Sequence, residues 1–242
     1  MAVARTATGL VDWHELVTPD LSRAVGFYAE LLGWDFAQWK PAETDYPLIS
    51  IAGRTHGGFL ERRSDVHAHW RLYVTVDDVD RVAALALEAG GSVETPPEAI
   101  PDVGRFAVVG DGQGATIAAL EPESAPDHPS GVFVWDEVLT ADVAAAARFY
   151  GDVFGWEATE AMPGRYWTLG IGDVRVAGLM QAPAGVTPAW YPYAATEDVD
   201  RTVSYALDLG ALIAAPPMEA AGTRFAVLVD PWGAAFGVMQ QR

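Results

Sequence analysis

Cysteine is absent from the chain. That removes disulfides, thiolate metal sites and cysteine nucleophiles together, and it fits a reducing compartment, with the cytoplasm as the expected location. Nowhere do 18 consecutive apolar residues occur, so no membrane span is expected. The opening MAVARTATGLVDWHELV also lacks an apolar run long enough for a secretory signal. Positive charge is scarce, with 15 basic residues against 33 acidic ones and a net charge of -18. A surface of that sign repels phosphates and anionic lipid heads, so neither nucleic acid nor a membrane is an expected partner. It would draw in a cationic ligand, although acidity of this degree also serves solubility alone. No Ser-His-Asp order, phosphate-binding loop or dinucleotide fingerprint is present.

What the sequence does have is core material. Half of its residues are apolar and 11% are aromatic, which excludes disorder as the main state. A length of 242 residues suits one large domain or two smaller ones.

An internal repeat decides between these. Residues 12–34 read DWHELVTPDLSRAVGFYAELLGW, and residues 134–156 read VWDEVLTADVAAAARFYGDVFGW. Trp13, Glu15, Thr18, Asp20, Phe27, Tyr28, Gly33 and Trp34 recur 122 positions later as Trp135, Glu137, Thr140, Asp142, Phe149, Tyr150, Gly155 and Trp156. Further on, Trp70 and VDDVDR match Trp190 and TEDVDR at an offset of 120, and RFAVVGDGQGA matches RFAVLVDPWGA at 119. The drift means short loop insertions and deletions within one preserved structure. The stretch EPESAPDHPSG has the composition of an exposed linker. The expected organisation is therefore a domain over residues 1–121, a linker over 122–131 and a second domain over 132–242.

Each copy reads as strand, helix, then several strands, twice over. Residues 10–18 alternate as a strand does. Asp20 is a good N-cap, and Ala24, Phe27, Tyr28 and Leu31 follow at the spacing of one buried helical face. Gly33 stands where a left-handed C-cap residue belongs. Strands are expected near 35–40, 46–52, 56–61, 70–76, 92–95, 104–110 and 115–120, with a second helix over 78–89.

The phrase T-x-D…A-x-x-FY…(L/F)-x-GW, with D-(P/G)-x-G-A before the last strand, resembles the vicinal-oxygen-chelate superfamily. That group includes glyoxalase I, extradiol dioxygenases and bleomycin-binding proteins. The resemblance implies an α+β fold in which four βαβββ modules form two cupped mixed sheets with helices outside. In its metal-using members, His, Gln or Glu side chains on the cup floor hold a divalent ion. Here the matching first-strand positions hold Trp13 and Trp135, their counterparts in the second modules Arg71 and Tyr191, and the last-strand positions Ala118 and Gly237. A fourth position falls ambiguously within GGFLER and AGLMQA, where only Glu61 and Gln181 could donate. Indole, guanidinium, methyl and hydrogen do not bind a hard cation, so the family's metal site is expected to be absent.

Other side chains remain as candidates. Glu15 and Glu137 each lie two residues beyond a Trp and share its strand face. A carboxylate beside an indole could serve as general acid, general base or cation anchor. Its bland alternative is a salt bridge, with Arg105 and Arg224 as repeat-matched partners. Trp13, Trp135, Trp70, Trp190, Tyr73 and Tyr193, with Arg105 and Arg224, form the candidate ligand-binding set, since aromatic walls with a few acids suit planar or cationic ligands. Trp34 and Trp156, at helix ends, read as core packing. Of the five histidines, His67 and His69 have the spacing of a ligand pair, which is more often a solvated strand entry, and His128 falls in the linker.

The leading expectation is a metal-free cup for a small planar or cationic organic molecule, in a chain that is a monomer or homodimer. The alternative is an enzyme of lyase, hydroxylase or isomerase type using Glu15 and Glu137 as acid/base, with or without a divalent metal ion. A relocated metal site, for instance Glu15, His56 and Glu61, ranks last.

Overall fold

The computed structural model describes residues 8–40, 44–62, 67–124 and 132–240. The expected module appears four times: β1 (Val11–Thr18), α1 (Leu21–Leu32), β2 (Asp35–Trp39), β3 (Tyr46–Ile51) and β4 (Arg54–Glu61); then β5 (His69–Thr75), α2 (Val79–Glu88), β6 (Ser92–Ile100), β7 (Gly104–Gly110) and β8 (Thr116–Pro122). The second repeat gives β9 (Phe133–Thr140), α3 (Val143–Phe154), β10 (Glu157–Met162), β11 (Tyr166–Ile171) and β12 (Val174–Gln181); then β13 (Ala189–Thr196), α4 (Val199–Asp208), β14 (Leu212–Ala220), β15 (Thr223–Val229) and β16 (Ala235–Gln240). The fold is α+β, with two mixed eight-stranded sheets in the orders β2-β3-β4-β1-β5-β8-β7-β6 and β10-β11-β12-β9-β13-β16-β15-β14. In each module the first strand pairs in parallel with the last, and the remaining neighbours run antiparallel.

The helices begin and end where their residues dictate. The Asp20 side chain accepts from the Arg23 N–H, Asp142 does the same for Ala145, and Gly33 and Gly155 close their helices at φ 69° and 71°. The buried face of α1 is Ala24, Phe27, Tyr28 and Leu31, the four residues that the spacing selects. One strand outruns its expectation: β6 continues past residue 95 to Ile100, through Pro96 and Pro97, with its register against β7 shifted on the way. It lies at the sheet edge, where a missing N–H costs no ladder bond.

The described residues pack as two compact units, and each takes one module from each repeat. The first unit joins β5–β8 and α2 to β9–β12 and α3, and its core includes Leu72, Ile117, Phe149, Tyr150, Trp156 and Trp190. The second unit joins β1–β4 and α1 to β13–β16 and α4, around Leu16, Tyr28, Phe59, Trp70 and Phe236. The division runs within β1, β5, β9 and β13. Each large side chain so buried contributes about 1.5–3 kcal/mol.

Trp34 and Trp156 are core residues, as their helix-end positions suggest. Trp34 stacks on Tyr28, and the Trp156 indole donates to the Gly9 carbonyl at 2.7 Å. Most of the expected linker, residues 125–131 with His128, lies outside the described residues.

Candidate functional site

Two residues of β1 present their side chains on the same sheet face, and a third element joins them. The Trp13 indole N–H donates to the Tyr46 hydroxyl at 3.1 Å, and that hydroxyl donates to Glu15 Oε1 at 2.8 Å. Arg71 of β5 completes the group, its Nη1 donating to Glu15 Oε2 at 3.0 Å. Glu15 is buried and Arg71 largely so, with side chains 6% and 12% exposed. Their pairing offsets the cost of burying either charge alone.

Tyr46 stands on β3, and β4 runs between it and β1. The crossing needs a residue without a side chain beneath it, and Gly58 is in register with Glu15 at that point. A Cβ on Gly58 would lie 2.1 Å from the Tyr46 ring. The second repeat builds the same device in the other unit. Trp135 donates to the Tyr166 hydroxyl at 2.8 Å, Tyr166 bonds Glu137, and a Cβ on Gly178 would lie 2.0 Å from the Tyr166 hydroxyl. Burial, and then the negative charge of Glu137, holds the Tyr166 phenol far above its ordinary range. It is a neutral donor at any physiological pH. Trp13 and Trp135 are half-buried, so part of each indole ring faces solvent.

Tyr73 and Tyr193 are buried, each against a phenylalanine of the neighbouring hairpin, Phe106 at 6.1 Å and Phe225 at 6.0 Å. Tyr193 lies over Gly237, whose Cβ would fall 2.0 Å from the ring, whereas Tyr73 has Ala118 as its strand partner.

Four expected ligand contacts belong elsewhere. Trp70 and Trp190 point into the cores, 2% and 3% exposed, because strand alternation puts Trp70 opposite its neighbour Arg71. Their indoles donate to Tyr28 at 3.3 Å and Tyr150 at 2.8 Å, and those phenols donate to Asp230 and Asp111. Arg105 and Arg224 clamp the first turns of α2 and α4 by two-pronged bonds to Asp80 and Asp200, so they are not the partners of Glu15 and Glu137. The salt-bridge partner of Glu15 is Arg71 instead.

The donors that the resemblance implies do not suit a divalent ion. The fourth position resolves to Gly58 and Gly178, opposite the two glutamates. Glu61 is exposed and three residues further along the strand, and Gln181 is exposed at the end of β12, its amide N–H donating to the Ala141 carbonyl. His56 is buried on β4, and among the described residues no three His, Asp or Glu side chains gather as a metal would require. His67 is exposed, and its carbonyl bonds the His69 ring at 3.1 Å.

Sequence reasoning passed over Tyr46 and Tyr166. The signal was available: tyrosine and glycine stand 12 apart in both repeats, at the offset of 120 that Trp70 and Trp190 share.

A family model described as a glyoxalase-like domain matches residues 11–119 and again 133–239. The anthracycline biosynthesis protein DnrV of Streptomyces peucetius is 28% identical, covering 99% of this chain and 96% of its own. The putative glyoxylase CFP32 of Mycobacterium tuberculosis is 38% identical over 117 residues, 48% of this chain and 45% of that one. Among solved structures, the Mn(II)-bound glyoxalase from Novosphingobium aromaticivorans superposes with a TM-score of 0.68 at 15% identity, covering 97% of this chain and 83% of that one. The 2,3-dioxygenase LapB from Pseudomonas sp. KL28 gives 0.67 at 13% identity, with 98% and 94% covered. At such identities the likeness is one of fold.

Proposed function

Since the chain belongs to the glyoxalase-like domain family of the vicinal-oxygen-chelate superfamily, with two copies in tandem, we propose that it binds a small planar organic molecule against its Trp–Tyr–Glu faces, without a divalent metal ion. One observation carries this reading: the same hydrogen-bonded trio recurs at matching positions in both repeats. Each indole N–H is spent on a phenol, so a ligand meets ring surface rather than a donor. The bond also fixes the ring before binding, which removes an ordering cost. Stacking on such a ring is worth about 0.5–1.5 kcal/mol beyond area burial.

Two relatives that span nearly the whole chain are named for anthracycline biosynthesis. Anthracyclines are built on planar fused rings, so a polycyclic aromatic metabolite is the ligand class proposed. The metal-free part is supported by the donor set, since Trp13, Arg71 and Gly58 offer a hard cation nothing where about three ligands are needed. Action in a reducing cytoplasm, as a monomer or homodimer, belongs to the same reading.

The test is tryptophan fluorescence during titration with planar three-ring compounds. Saturable quenching is expected, unchanged after dialysis against EDTA and about tenfold weaker when Trp13→Ala and Trp135→Ala are combined. No quenching, or a stoichiometric ion in protein purified without chelator, would overturn it.

The phenol-to-carboxylate bond of 2.8 Å also favours a second reading, in which Glu15 and Glu137 exchange protons with a substrate. Glu15→Gln with Glu137→Gln separates the two. An enzyme would lose turnover and keep ligand affinity, while a binding protein has no turnover to lose.

A further inference from the structure

The edge strands β6 and β14 are built on one plan from residues of opposite character. In β6 the register against β7 shifts between Val93 and Thr95 and again between Thr95 and Glu98; in β14 it shifts between Ile213 and Ala215 and between Ala215 and Met218. Such a bulge sets two residues against one, so every third residue of the edge strand shares a face with every second residue of its partner. Ser92, Thr95 and Glu98 thereby stand against Gly110, Val108 and Phe106. Leu212, Ala215 and Met218 stand against Val229, Val227 and Phe225. The row of Val108 continues through Ala118 to Tyr73, and that of Val227 through Gly237 to Tyr193. Each face lies within one compact unit.

Tyr73 and Tyr193 are buried, whereas Phe106 and Phe225 beside them are only partly so. The ring that a solute meets on either face is therefore the phenylalanine. Next to it the first face has the exposed carboxylate of Glu98, and the second the thioether of Met218, 40% exposed. Directly opposed residues of an antiparallel pair are close enough for one planar molecule to cover both. We propose that the β5–β8 face binds planar aromatic cations, the ring lying on Phe106 and the charge met by Glu98, and that the β13–β16 face binds neutral planar aromatics on Phe225 and Met218. This rests on the binding of planar molecules proposed above, and it assigns each face a ligand charge through residues other than the Trp–Tyr–Glu trios. A carboxylate and a ring face both attract a cation, while a neutral molecule lying on Glu98 would strip water from a charge and return nothing. Met218 reverses the preference, since a thioether packs against rings and offers a cation no counter-charge. The net charge of -18 draws cations to the whole surface, and Glu98 gives them a place beside a ring.

Two probes of one shape distinguish the faces. Proflavine is a planar three-ring cation, and acridone is its neutral counterpart. Both are titrated against the full chain by the anisotropy of their own fluorescence, with stoichiometry counted at saturation. Glu98→Met and Met218→Glu each copy the residue that the other repeat carries at the matching exposed position, so the fold already accommodates them. Glu98→Met is expected to weaken the tightest proflavine binding about fivefold, as loss of one exposed charge contact beside a ring predicts, and to leave acridone bound. Glu157→Gln removes an equal charge from the exposed strand β10 and is expected to change neither probe. Met218→Glu is expected to add a second tight proflavine site and to weaken acridone.

If both probes bind the wild type but Glu98→Met weakens proflavine no more than Glu157→Gln does, or Met218→Glu adds no site, the assignment of charge to the faces is wrong and the binding of planar molecules stands. If neither probe binds the wild type, both fall together.

Discussion

The chain uses one set of residue types, Trp, Tyr and a carboxylate, in two settings. Within the cores, Trp70 donates to Tyr28 and Tyr28 to Asp230, and the other unit matches this with Trp190, Tyr150 and Asp111. On the sheet faces, Trp13, Tyr46 and Glu15 repeat the order, as do Trp135, Tyr166 and Glu137. The core chains tie a helix of one repeat to a loop of the other, and their aspartates spend the second oxygen on backbone N–H groups of their own turn. A face chain stays within one module apart from Arg71, and its Trp is only partly buried. An aromatic–carboxylate chain therefore does not by itself mark a site. What separates the two settings is where the last acceptor lone pairs go and whether any ring remains in contact with solvent.

The largest effect should come from cutting the core chains at their acidic end. Asp111 accepts from the backbone N–H groups of Gln113, Gly114 and Ala115 as well as from Tyr150. Asp111→Ala strands all four donors, and about 3–5 kcal/mol of stability should be lost in urea denaturation. Asp230→Ala should do the same in the second unit. Arg71→Met alone comes next, about 3 kcal/mol, because it leaves Glu15 buried without its guanidinium. Adding Glu15→Gln should restore most of that. If the double variant is as unstable as the single one, the loss does not come from the stranded Glu15 carboxylate.

Tyrosine to phenylalanine then separates core from face directly. In Tyr28→Phe and Tyr150→Phe an indole donor and a carboxylate oxygen both lose their partner in a dry interior, for about 1–3 kcal/mol. Tyr46→Phe and Tyr166→Phe should cost less, about 1 kcal/mol, because the partly exposed Trp13 and Trp135 can turn their N–H groups to water. Their expected signature is a loosened Trp13 or Trp135 and weaker ligand quenching. Equal stability losses at all four positions would erase the distinction.

Much of this was legible in the sequence. The repeat, the helix caps and the buried face of α1 follow from spacing, because a 3.6-residue period with Asp before and Gly after admits one reading. Trp13 and Glu15 share a face by the two-residue period of strands. The same period forbids Trp70 and Arg71 from sharing one, so the placement of Trp70 and Trp190 in the ligand set conflicted with a rule already in hand. Arg105 and Arg224 were harder, since their partners Asp80 and Asp200 lie 25 and 24 residues away on helices whose docking only the fold reveals. Tyr46 was hardest. Its reach across β4 depends on the missing side chain of Gly58, a three-strand relation that no local period encodes.

The smallest expected effects are those of pH, and they rank core against face in the same way. Burial, and next the nearby carboxylate, raises the phenols of Tyr28, Tyr150 and Tyr166 above their ordinary range. Unfolded tyrosines ionise near pH 10, so above that value the native chain holds protons that the unfolded chain has released. Stability then falls as pH rises. Asp230 behaves likewise at the acid end. Burial raises its carboxyl above the unfolded value of about 4, so across the interval just above pH 4 the native state again binds the extra proton, and stability declines as pH climbs through it. Titration followed at 295 nm should show the three phenols silent until the protein unfolds. Tyr28→Phe and Tyr150→Phe should each flatten the alkaline loss of stability, and Tyr166→Phe should flatten it by a smaller amount, since its ring lies on the more open face. Ionisation of all tyrosines near pH 10 in the folded protein would show both kinds of chain to be open to water.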